Sequence, residues 1–134
     1  MENSFKIFPG GKLIISLLIM STFLIKCGKN TQSGISYSRD IQTIFQYNCT
    51  SCHGNTSPSG GLSLTNYDSL MAGGNSGPVV RPKAKPEFSL LYKKVAYSED
   101  KIPFGSRMPP NGPYLDESQI KYIWQWINNG AKNN

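Results

Sequence analysis

The sequence predicts a helical fold, and three observations carry that expectation. Apolar residues recur at helical spacing at Ile41, Ile44 and Phe45, again at Leu91, Tyr92 and Val95, and again at Ile120, Ile123, Trp124 and Ile127. The stretches between them are dense in Gly, Pro, Ser and Asn, which mark turns and loops. The last periodic stretch carries a full set of helix-end signals. Asp116 can cap it, Gln119 completes a capping box, Leu115 and Ile120 stand where a hydrophobic staple belongs, and Gly130 stops it.

With 134 residues, 38% hydrophobic and 16% charged, the chain holds one domain of ordinary globular composition. Residues 1–26 read as an export signal. Lys6 and Lys12 form a basic start, and Leu13–Ile25 is an uncharged apolar run shorter than the roughly 20 residues of a spanning helix. The run ends in Leu24-Ile25-Lys26-Cys27, a pattern similar to a bacterial lipoprotein signal with Cys27 as the lipidated residue. Lys26 departs from the small residue usual before that cysteine, and an uncleaved or differently cut leader is the alternative. Residues 27–36 are polar and without apolar period, a flexible tether whose nine residues after Cys27 span roughly 17 Å root-mean-square. Residues 37–134 are left for the domain. A chain this short has a small apolar core of its own, so a buried cofactor would be a large part of it.

The first helix is expected from about Ser38, capped by Ser36 or Ser38, with Ile41, Ile44, Phe45 and Asn48 on one stripe. It leads into Cys49-Thr50-Ser51-Cys52-His53, a C-x-x-C-H pentad that reads as a covalent attachment site for c-type haem. Two thiols three positions apart lie on one side of a helical turn and can both form thioethers to one porphyrin edge. His53 is the sole histidine, so no other imidazole competes for the iron. Beyond Cys49, Cys52 and His53 there is no second C-x-x-C and no other His to complete a zinc tetrahedron, and no βαβ pattern supports a thioredoxin-like pair. A plain disulfide is the remaining alternative, though it leaves His53 without a role. Lipidation of Cys27 and thioethers at Cys49 and Cys52 would account for all three cysteines.

After the pentad, residues 54–61 are rich in turn formers, and a backbone carbonyl between Pro58 and Gly61 is expected to accept the second His53 ring N–H. A short helix follows over residues 66–71, capped by Thr65 or Asn66 and ended by Gly73-Gly74. In the loop beyond, Arg81 is a candidate partner for a haem propionate, with a solvated arginine as the alternative. Pro86 then opens a third helix with Phe88, Leu91, Tyr92 and Val95 on its core face. The strap Arg107-Met108-Pro109-Pro110-Asn111-Gly112-Pro113 cannot be helical, so Met108 sits on a stiff mount. Beyond the leader, Met71 and Met108 are the methionine candidates for a sixth iron ligand. Met108 is favoured because a ligand needs a preorganised seat, and an empty distal side is the third option. The stripe of the last helix, widened by Tyr122 and Trp126, is expected to pack on the first helix and on the haem.

A helix entering C-x-x-C-H, a strap of the form R-M-P-P-x-G-P and a closing helix ending in Trp126-Ile127-x-x-Gly130-Ala131 together resemble a small class I c-type cytochrome domain over about residues 37–132. The resemblance implies an all-α small cytochrome c fold with crossing N- and C-terminal helices around one covalent haem. It also implies His53 and Met108 as axial ligands, and one-electron transfer in the periplasm without enzymatic turnover. Residues 54–86 fall in a region that varies too widely in such proteins for residues to be carried over. The partners to expect are redox proteins and, through the lipid anchor, a bacterial membrane, with the chain a monomer. Arg81, Lys83, Lys85, Lys93 and Lys94 form a basic group that would steer an acidic partner, although plain solvation explains them too. The formal charge of +6 would also suit nucleic acid, but no nucleic-acid motif is present and the leader directs the chain away from it. Two rivals stand: a haem-based ligand sensor or peroxidase-like protein with an open distal site, and a cofactor-free disulfide lipoprotein.

Overall fold

The computed structural model describes residues 34–134. The expected leader, Cys27 and most of the tether lie outside the described residues. The last tether positions, Ile35 and Ser36, already pack on the domain, Ser36 being buried.

Among the described residues there are four α-helices: α1 (Gln42–Asn48), α2 (Tyr67–Ala72), α3 (Leu90–Ala96) and α4 (Glu117–Asn128). Among the described residues there is no strand, only an isolated bridge between Gly74 and Gly77. The fold is all-α, as the apolar periodicity predicts.

A wide first turn, Tyr37–Ile41, runs directly into α1. Ser36 is the cap: its hydroxyl accepts from the Arg39 N–H, while its carbonyl accepts from both Asp40 and Ile41. Bonding Ser36 O to an amide five residues on opens the turn to π geometry. Four groups at this turn also reach Asn134, whose carbonyl accepts from the Ser36 hydroxyl at 2.6 Å, the Ser38 hydroxyl at 2.9 Å and the Ser38 N–H at 3.0 Å, and whose side chain accepts from the Tyr37 N–H.

α2 is capped by Asn66, whose side chain accepts from the Ser69 N–H, and ends at Gly73, where φ is +80°. The expected third helix is two pieces. Pro86–Phe88 forms a 3₁₀ turn, Ser89 is extended, and α3 starts at Leu90. The break has a tertiary cause: fully buried Ser89 turns its hydroxyl to accept the Arg81 N–H at 2.9 Å. It also rotates Phe88 off the core face, leaving it 59% exposed, whereas Leu91 and Val95 are buried as expected.

α4 has the capping box in both directions, with Asp116 accepting from the Gln119 N–H and the Gln119 side chain accepting from the Asp116 N–H. It packs against α3, the Pro86–Phe88 turn and the Tyr37–Ile41 turn, so the last helix meets the first. Ile41, Phe45, Ile123, Trp126 and Ile127 are the almost fully buried centre of that junction. Each such side chain contributes roughly 1.5–3 kcal/mol of transfer free energy. Trp126 stacks near Tyr37 at 5.5 Å and Tyr67 at 6.5 Å between centroids. The Trp124 indole N–H donates to Glu87 at 2.9 Å and ties α4 to the turn before α3.

Candidate haem-binding site

α1 ends at Asn48, and Cys49 begins the pentad as its cap residue. The His53 N–H donates to the Cys49 carbonyl at 2.9 Å and the Cys52 N–H to the same oxygen at 3.1 Å, which closes the pentad into one helical turn. Both thiols are free; Cys49 is half-buried and Cys52 exposed. Burial pushes the Cys49 thiol up to about 11, so it stays protonated at neutral pH.

The His53 ring lies with Nδ1 3.1 Å from the Leu62 carbonyl. A carbonyl only accepts, so Nδ1 carries the proton and Nε2 keeps its lone pair for a metal. The acceptor is one residue past the expected Pro58–Gly61 window. Gly60 and Gly61 both adopt positive φ, and the chain they turn presents Leu62 rather than themselves. The same turn docks on the next loop, with the Asn75 N–H donating to the Gly60 carbonyl at 2.8 Å. A Cβ on Gly74 would sit 2.6 Å from that carbonyl, so the close approach requires glycine there.

Cys49, Cys52, His53 and Met108 line one cavity of about 590 Å³. Its apolar walls include Leu62, Leu64, Val79, Leu91, Val95 and Leu115, and exposed Tyr47 and Phe104 also line it. Met71 is absent from the lining and packs on the core instead. Arg81 is exposed and does not line the cavity either; its backbone N–H donates to Ser89 and its carbonyl accepts from the Ala84 N–H. The stripe of α4 was expected on the haem, but no α4 residue lines the cavity, because its buried face is already engaged by the first turn and α3.

The strap holding Met108 is fastened to the end of α3. The Met108 N–H donates to the Lys94 carbonyl at 2.8 Å, and Arg107 donates from Nε at 3.3 Å and Nη2 at 3.2 Å to the Val95 carbonyl. The Arg107 guanidinium also lies 4.0 Å from the Tyr114 ring centroid. The Lys94 ammonium donates to the carbonyls of Phe104 and, at 3.0 Å, Ser106. Partial burial lowers its pKa, against the opposing effect of Glu99. From the sequence Lys94 was one of a basic surface group and Arg107 merely preceded a methionine. The adjacency of Arg107 to Met108 was the one available sign of an anchor, and Lys94 offered none.

The donor set fits a covalently held iron porphyrin: two thiols one turn apart, an oriented imidazole and a thioether facing a single apolar cavity. Among the described residues no group of three or more His, Cys, Asp or Glu is placed to hold a bare metal ion. A search of curated proteins and a search of solved structures found no match. A protein-family model described as Planctomycete cytochrome C matches residues 49–112, a span that begins at the first pentad cysteine and ends within the methionine strap. With the all-α fold, this match supports a cytochrome c-type domain, a family that implies covalently bound haem c.

Proposed function

We propose that the chain is a single-haem c-type cytochrome that passes one electron at a time on the periplasmic side of a bacterial membrane. The observation that supports it most is the convergence of Cys49, Cys52, His53 and Met108 on one cavity. When bound, the haem supplies reversible one-electron chemistry at iron. Cys49 and Cys52 would hold it covalently, each thiol adding across a vinyl group. His53 would ligate through Nε2, its ring held in one tautomer by Leu62. Met108 would ligate from its strap, a thioether favouring the reduced state and raising the potential. The apolar walls would keep water from the iron. The role is carriage of electrons, without enzymatic turnover.

Partners in this reading are redox proteins that meet the monomer briefly over a small interface. Cys27 would carry the lipid that keeps the domain at the membrane. Accordingly, Cys27→Ala is expected to move the protein from the membrane fraction to the soluble periplasmic extract; retention in the membrane fraction would remove Cys27 as the anchor.

The ligand assignment is tested by the optical spectrum of the oxidised protein, made in cells able to attach haem. A weak far-red band from sulfur-to-iron coordination should be lost in Met108→Ala and kept in Met71→Ala. The reverse pattern would transfer the ligand role to Met71. Absence of the band from the unsubstituted protein would favour an open distal site, and with it the sensor or peroxidase-like rival.

A further inference from the structure

The contacts of the methionine strap concentrate on the last turn of α3, and the chemistry of that end explains why. A helix leaves its final carbonyls without partners inside the helix, and their negative dipole end favours cations. Here the Lys94 and Val95 carbonyls are both taken by the strap, through the Met108 N–H and the Arg107 guanidinium. Lys94 adds a second fastening in the opposite direction. Its ammonium reaches out from α3 to the carbonyls of Phe104 and Ser106, and lies 5.0 Å from the Phe104 ring centroid. One residue thus holds the strap by its backbone at Met108 and by its side chain at two positions upstream. The α3 face that carries it, with Leu90, Leu91 and Val95, lines the cavity that Met108 also lines.

We propose that Lys94 is a positioning residue for the sixth iron ligand, fixing the seat of Met108 by clasping residues 104–106 to the end of α3. This rests on the reading of Met108 as a ligand. The clasp works through hydrogen bonds to carbonyls, so any cationic donor of similar reach can replace it, while an isosteric apolar chain cannot. With the ammonium gone, the strap keeps the Met108 N–H and Arg107 fastenings and stays folded, but the thioether leaves the iron more often.

The test is ligand exchange in the oxidised holoprotein, with imidazole as the probe. Imidazole occupies the sixth position only when the thioether has left, so its apparent affinity reports how often that happens. Lys94→Met should bind imidazole at least about tenfold more tightly than the unsubstituted protein, since both charge-assisted hydrogen bonds of the clasp are lost and even one, at a partly exposed site, is worth about that factor. Lys94→Arg should restore the original affinity, which a role in packing the aliphatic stem alone would not predict. As a second variant for the same clasp, Lys94→Gln should fall with Lys94→Met. Equal imidazole affinity in Lys94→Met and the unsubstituted protein, where Met108→Ala does raise affinity, would overturn the clasp alone. If Met108→Ala changes neither the spectrum nor the affinity, the ligand reading fails and the clasp fails with it.

Discussion

Ser89 has no exposed surface, and it accounts for the largest local departure from helical expectation. Its hydroxyl accepts the Arg81 N–H, an amide in a loop that has no other placed acceptor, and meeting it requires the extended backbone that splits the third helix. Ser89→Ala should lower stability by about 1–2 kcal/mol, because the amide partner is left without its bond in a partly buried place. In a urea titration the midpoint should fall with the slope unchanged. An unchanged midpoint would mean that the bond does not hold the two segments together. His53 shows the complementary case. That its ring needed a backbone acceptor followed from the chemistry of a metal-binding imidazole, but which carbonyl would serve depended on φ at Gly60 and Gly61, and sequence spacing does not encode that.

At the scale of elements, local signals proved sufficient wherever the interaction is local. The capping box of α4, the Asn66 cap of α2 and the glycine ends all involve residues within a turn of one another, and each forms as the sequence indicates. Features set by distant partners were not legible: the π geometry of the first turn, the break at Ser89 and the exposure of Phe88. The α4 stripe was read correctly as a buried face and wrongly as a wall of the cavity, since periodicity says that a face is covered but not by what.

The junction of the first turn with α2 and α4 also has a pH signature. Tyr37, buried there against Tyr67 and Trp126, is pushed from 10.0 to about 12, first by burial and then by Asp68 and Tyr67. The unfolded chain therefore releases this proton before the folded one does. The stabilisation is complete below about pH 10 and declines as pH rises towards about 12. Tyr37→Phe should flatten that part of the stability profile, as read by denaturant midpoints across alkaline pH. A profile as steep as the original would assign the alkaline loss to other groups.

At the scale of the whole molecule, the described residues divide into a packed half, where α4 meets the first turn and α3, and a hollow half, where the pentad and the strap line one cavity. The hollow half was the more legible in its chemistry, because C-x-x-C-H and a proline-bound methionine state their donor types outright, and the less legible in its supports. Lys94 and Arg107 contribute through backbone carbonyls far along the chain, which leave no periodic trace. No helix among the described residues is long and apolar enough to cross a membrane. The central claim is that the hollow half is shaped for one porphyrin joined through two thioethers. The intact mass of the protein, purified under denaturing conditions from a host that attaches haem to exported chains, tests it most directly. The account predicts a polypeptide heavier by one iron porphyrin, with the gain lost when Cys49 and Cys52 are both replaced by Ala; a polypeptide without added porphyrin would contradict it.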